Sequence, residues 1–187
     1  MLYTILTVLA AGLDQLCKTW VEEQRQETFP RAMERTKGKI TLYRNHNSGF
    51  PFGFMKEYGQ AVRMVPLMTV SMLTGIFLFL SGKKGWRLHK TALALLLGGA
   101  ASNLYDRWVR RYVVDYFSIQ AGFLKKVVFN LGDMFVFLGS ALFMIAEFVD
   151  DRSAHDSADD SARRAAGEHS GGLLHACRSG RAATQQP

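Results

Sequence analysis

Long apolar runs alternate with short polar stretches along the chain until about residue 149, where the apolar runs stop. Four apolar segments stand out. The first covers Met1 to about Trp20 and is interrupted by Asp14 and Lys18. The second runs from Met64 to Leu80 and the third from Thr91 to Tyr105, both uncharged. The fourth runs from Val127 to Val149, broken by Asp133 and Glu147. A membrane-spanning helix needs roughly 20 mostly apolar residues. The second segment meets this cleanly, and the others need their flanks or tolerate a charge near one end. The pattern predicts an all-α membrane protein built as a four-helix transmembrane bundle. The first segment lacks a positive leading region and carries Asp14 and Lys18 where a cleavage site would fall, so it reads as a retained helix.

The polar stretches add detail. Ile40-Thr41-Leu42-Tyr43 has the composition of a short strand, and residues 45–54 combine turn residues with Phe50, Phe52 and Phe54 at alternate positions. Those three rings either line one face of an extended segment lying on the bilayer or anchor a loop at the interface. Residues 150–187 are Ala, Ser, Gly, Arg and Asp with almost no large apolar side chain, the composition of a disordered tail. The expected organisation is a membrane-embedded domain over 1–149 and a cytoplasmic tail over 150–187.

Charge sets the expected orientation. The formal net charge is +7 in 187 residues, and the tail contributes about −1 of it. Lys and Arg sit at the ends of apolar segments, which suits attraction to anionic lipid headgroups and argues against a nucleic-acid-binding role. Lys83, Lys84, Arg87 and Lys90 crowd between the second and third segments, which places that loop in the cytoplasm by the positive-inside rule. Both termini are then cytoplasmic, and regions 21–60 and 107–126 lie outside. Under this topology Asp14, Lys18, Asn103, Asp106, Arg107, Asp115, Asn130 and Asp133 gather near one membrane face.

Carboxylates in such apolar surroundings are functional by default. Asp115 lies in Tyr-Val-Val-Asp-Tyr-Phe (112–117) and Asp133 in Val-Phe-Asn-Leu-Gly-Asp-Met-Phe (128–135). Two carboxylates in one low-dielectric site share a proton and can supply both the base and the acid that peptide hydrolysis needs. The structural alternative is that each pairs with an Arg or caps a helix, and spacing alone leaves these readings even. Asp14 and Lys18, four apart, share a helix face; the plainer reading is an ion pair at the interface with Lys18 snorkelling. Gly98 to Ser102 is a small-residue patch that lets helices approach closely. Asn103 and Arg107 share a face that holds the outer end of their helix. Serine, zinc and redox motifs are absent from the sequence, as are disulfide and metal-ligand cysteine spacings, so no metal and no cofactor are expected.

Five blocks, in order, resemble the bacterial lipoprotein signal peptidases (signal peptidase II). Asp14-Gln15-Leu16-Cys17-Lys18 resembles Asp-Gln-x-x-Lys, and Asn47-Ser48-Gly49 resembles Asn-x-Gly. Gly98 to Arg107 matches Gly-Gly-x-x-x-Asn-x-x-Asp-Arg. Val113-Val114-Asp115-Tyr116 resembles Val-Val-Asp-Phe, and Phe129-Asn130-Leu131-Gly132-Asp133 resembles Phe-Asn-x-Ala-Asp. The resemblance covers roughly residues 10–150. It implies an aspartic endopeptidase with Asp115 and Asp133 as the dyad, framed by Asp14, Lys18, Asn47, Gly49, Asn103, Arg107 and Asn130. It also implies a small extracytoplasmic β element over about 38–57. The implied substrate is a prolipoprotein, cut before its diacylglyceryl-modified cysteine, and the implied setting is the bacterial inner membrane with the site near the outer face. Phe50, Pro51 and Gly132 depart from the pattern. A transporter or proton relay using the same carboxylates, or a silent interaction protein, are the rival classes.

Overall fold

The first helix turns its apolar side outward and its charged side into the protein. The computed structural model describes residues 1–49 and 59–150. Helix α1 spans Leu2–Glu22. Leu2, Val8, Leu9, Leu16 and Trp20 on it are exposed, whereas Asp14 and Lys18 are fully buried at 0% exposure. Helix α2 covers Gly59–Ser81, α3 Arg87–Val109 and α4 Leu131–Asp150. Among the described residues, Gln60–Ser81 and Leu131–Asp150 are long and apolar enough to cross a membrane by length and composition. Helices α1 and α3 have 21 and 23 residues. At about 1.5 Å per residue both reach the roughly 30 Å of a hydrocarbon core, but buried charges lower their mean hydropathy.

Helix α3 is the central one. Leu93, Ala94 and Leu97 on it pack with Phe77 and Leu80 of α2, and Tyr3 and Leu6 of α1 close over that cluster. The Gly98-Gly99 pair explains how α3 gets so near its neighbours. A Cβ on Gly98 would lie 2.6 Å from the Cβ of Ala10 on α1, and one on Gly99 would overlap the carbonyl oxygen of Gly132 on α4. The small-residue patch is therefore a packing device on both sides. The chain divides into two compact units, Met1–Met144 and Ile145–Pro187. Of the second, only the last helical residues, 145–150, are described.

The β element is larger than the sequence suggests. Strands β1 (Arg31–Ala32), β2 (Ile40–Asn47) and β3 (Val113–Ile119) form an antiparallel sheet in the order β1-β2-β3. An all-α description therefore gives way to a mostly helical chain with a three-stranded sheet. The expected strand at 40–43 runs on to Asn47, and β3 falls in a stretch expected to be only a connector. Val113, Val114, Asp115 and Tyr116 are all buried. A strand covered on both faces lacks the apolar–polar alternation that marks a half-exposed one. Two boundaries also move. Helix α3 begins at Arg87, so Arg87 and Lys90 belong to its first turn rather than to the loop before it. Helix α4 begins at Leu131 rather than near Val127, because Phe129 pairs with Phe117 next to the sheet. Phe50, Pro51, Phe52 and Phe54, and residues 151–187, lie outside the described residues.

Candidate active site

Strand alternation decides which way each residue of β3 faces. Val114 and Tyr116 join Val21 in a buried cluster. Val113 and Asp115, on the other face, line a cavity of about 440 Å³. After β3 a turn at Gly122–Lys126 reverses the chain, and Phe129 exchanges backbone hydrogen bonds with Phe117 at 2.7 and 3.0 Å. That pairing delivers Asn130 beside Asp115 and starts α4, whose third residue, Asp133, lines the same cavity. Asn47 from the end of β2 and Asn103 and Arg107 from α3 complete its polar wall. Phe123, Leu124, Val127, Phe129, Val136 and Phe137 make the rest of it apolar.

Each carboxylate is held by neutral amides. Asp115 accepts from Asn130 Nδ2 at 2.8 Å and Asn47 Nδ2 at 3.1 Å. Asp133 accepts from Asn103 Nδ2 at 2.9 Å and from the Asn130 backbone N–H at 3.2 Å. An amide side chain can be turned either way, so what matters is what fixes it. All three are fixed through the carbonyl oxygen. Asn130 Oδ1 accepts the Asp133 N–H at 2.8 Å, the reciprocal arrangement of a capping box at the start of α4. Asn47 Oδ1 accepts the Gly49 N–H at 3.1 Å. Asn103 Oδ1 accepts from Lys18 Nζ at 2.7 Å. The carboxylates thus receive only N–H donors from these residues. Arg107 reaches the backbone oxygens of Asn103 at 3.3 Å and Gly49 at 3.5 Å.

A second charged cluster lies one layer deeper. Lys18 pairs with Asp14 at 2.7 Å and with Asp106 at 2.9 Å, all three fully buried. Arg110 closes on Asp106 at 2.5 Å, so two formal negative charges meet two positive ones. Ser102 donates to Asp14 at 2.6 Å, and Asp106 accepts the Val114 N–H at 3.3 Å. The expected Asp14–Lys18 pair is present, but Lys18 does not snorkel. Its ammonium points inward because Asp106 and Asn103 wait on the neighbouring helix.

Burial, and after it the charge of Asp133, push the Asp115 carboxyl up to about 6, against the lowering pull of Asn130 and Asn47.

A family model described as signal peptidase (SPase) II matches residues 6–149. The chain belongs to the signal peptidase II family. It is 29% identical over 152 residues to a lipoprotein signal peptidase of Mesorhizobium japonicum, covering 79% of this chain and 85% of that protein. It is 32% identical over 149 residues to one from Shouchella clausii, covering 80% of this chain and 94% of that protein. A bacterial membrane enzyme solved in meso at 2.3 Å shares the fold, with a TM-score of 0.67 at 18% identity. That match covers 80% of this chain and 88% of the other. As a signal peptidase II, the protein is a membrane-located protease.

The nine residues expected at the site come together in the structure. Asp115, Asp133, Asn47, Asn103 and Arg107 line the cavity. Asn130 and Gly49 bond to that wall, and Asp14 and Lys18 stand behind it. The sequence placed Asp106 near the same face without a site role, and it gave no site role to Ser102, Gln15 or Tyr116. Gln15 Nε2 donates to Ser102 Oγ at 2.9 Å and to Asp106 at 3.1 Å. The i, i+4 spacing of Asp106 and Arg110 was the available signal for the first of these. For Tyr116 it was a hydroxyl directly after Asp115 in a mostly apolar stretch.

Proposed function

We propose that Asp115 and Asp133 are the catalytic dyad of this peptidase, sharing one proton across the cavity. The protein removes signal peptides from prolipoproteins, and on this reading it cuts before the diacylglyceryl-modified cysteine. The observation that carries the assignment is that buried Asp115 and half-buried Asp133 line one cavity, and their amide neighbours supply hydrogen bonds but no countercharge. With one shared proton, the formal charges of Asp115, Asp133 and Arg107 cancel. The ionised carboxylate then takes a proton from water as it attacks the scissile carbonyl, and the protonated one gives its proton to the leaving amine. Lys18, Asp14, Asn103, Asn130, Asn47, Gly49 and Arg107 hold the geometry, and the apolar wall from Phe123 to Phe137 takes apolar parts of the substrate.

The same reading gives four membrane spans, α1 to α4, with both termini cytoplasmic and the cavity near the extracytoplasmic face of a bacterial inner membrane. The lengths of α1 and α3 and their outward apolar positions support this. Residues 1–149 form the peptidase domain and 150–187 a tail outside it; the family match over 6–149 supports that division. Substrate and bilayer lipid are its partners, and it has no nucleic-acid role. A transport or relay function has no observation in its favour. The test is cleavage of a purified diacylated prolipoprotein by wild type, Asp115→Asn and Asp133→Asn. Each substitution is expected to lower the rate by at least about 10²–10⁴-fold, and persistent cleavage by either would remove it from the dyad.

A further inference from the structure

Beside the dyad, one buried hydroxyl of β3 is bonded to both α4 and α1. Tyr116 follows Asp115 on β3 and faces the opposite way, with 7% of its surface exposed. Its oxygen accepts the Leu131 N–H at 3.0 Å and donates to Asp14 Oδ1 at 3.3 Å. Leu131 is the first residue of α4, so its N–H is one of the donors that a helix start leaves without an internal partner. It lies between Asn130, which donates to Asp115, and Asp133 itself. Asp14 Oδ2 is already held by Lys18 and Ser102, whereas Tyr116 is the described donor to Oδ1.

We propose that Tyr116 is a positioning residue for the peptidase reaction: its hydroxyl clasps the strand carrying Asp115 to the first turn of the helix carrying Asp133, and so sets how strongly the two carboxyl groups couple. The proposal rests on the dyad reading. The clasp works through the backbone. A shift of Leu131 moves Asn130 and Asp133 together, and a shift of Tyr116 moves Asp115. Replacing the hydroxyl by hydrogen leaves the Leu131 N–H and Asp14 Oδ1 without their described partner in a site where buried polar groups are bonded. Strand and helix start are then free to separate. The dyad acts while it holds one proton, so the width of its pH window is the separation of its two macroscopic pKa values. Weaker coupling brings those values together and narrows the window from both sides. Other charged groups near the dyad are Arg107 and Asp106 from α3 and Asp14 and Lys18 from α1, and none of them is altered by the substitution. From β2 comes neutral Asn47, while His46 turns away to Glu22 at 2.8 Å.

The experiment compares full-length wild type, Tyr116→Phe, Asp115→Asn and Asp133→Asn on a diacylated prolipoprotein across pH. Tyr116→Phe is expected to lower kcat about tenfold with KM within about twofold, and to narrow the pH window. Leu131→Pro removes the same hydrogen bond from the helix side, at a first-turn position that tolerates proline, and is expected to give the same split. If Tyr116→Phe does not fold, Leu131→Pro carries the test. An unchanged kcat and pH window in the folded variant, with both Asn variants inactive, overturns the clasp and leaves the dyad standing. Cleavage by either Asn variant overturns the dyad and the clasp with it. Failure of both clasp variants to fold makes the hydroxyl a structural bond and overturns the positioning role.

Discussion

Two pairs of aspartates, all buried except the half-buried Asp133, sit side by side in this protein, and they are treated differently. Asp14 and Asp106 are neutralised by Lys18 and Arg110 through direct ion pairs of 2.5–2.9 Å. Asp115 and Asp133 receive amide donors from Asn47, Asn103 and Asn130 instead. A cation beside a carboxylate fixes it as an anion, whereas an amide orients it and leaves its charge to be settled by burial and by its neighbours. The first pair is suited to hold helices together and the second to hold a proton. Asn103 links them: Lys18 orients it, and it donates to Asp133. The ion-paired cluster thereby reaches the amide-held one.

The contrast breaks most severely at Lys18. Lys18→Met leaves Asp14 buried without its cation and Asp106 with half of its countercharge. A loss of roughly 3–5 kcal/mol is expected, read as a fall in thermal midpoint in detergent. Cleavage falls as well, because Asn103 loses the bond that orients it. Next comes pH. The Asp115 carboxyl is raised from 3.8 to about 6 in the folded state. The native state therefore holds this proton longer than the unfolded chain does. The stabilisation is full below about 4 and is lost as pH rises through about 6, up to about 3 kcal/mol in all. Unfolding of wild type and Asp115→Asn measured from pH 4 to pH 8 checks this, since the variant lacks that slope. Gly132→Ala sharpens the picture at the helix crossing. Its Cβ would lie 2.9 Å from Asp14 Oδ2, 3.0 Å from Asn130 Oδ1 and 3.1 Å from the Gly99 oxygen. A loss of about 1–3 kcal/mol is expected, again from thermal unfolding. Asn130→Ala has the smallest expected effect on stability, about 1 kcal/mol from the lost helix cap. It is expected to lower kcat more than it raises KM, because the donor to Asp115 goes with it.

Much of this was legible in the chain, and the exceptions have physical causes. Apolar runs marked the helices because lipid and protein interior both select them. The Asp14–Lys18 spacing marked an ion pair, and five ordered blocks marked the residues that now meet at one cavity or stand directly behind it. The burial of Lys18 was not legible, because it depends on Asp106, a residue 88 positions away on another helix. Strand β3 was hidden because both of its faces are covered, which erases the two-residue period. Gly132 read only as a departure from the family pattern. In the structure it lies within α4 and what it supplies is room, since α3 and Asp14 press against it. Tyr116 read only as the last residue of the Val-Val-Asp-Phe-like block, and only the fold brings Leu131 and Asp14 to its hydroxyl.

The central claim is that the amide-held pair does the chemistry while the cation-held pair holds the fold. It is tested most directly by measuring thermal midpoint and prolipoprotein cleavage on one preparation of Asp115→Asn at neutral pH. The account predicts a midpoint at or above that of wild type, with cleavage lost. A midpoint well below wild type, or cleavage that persists, would contradict it.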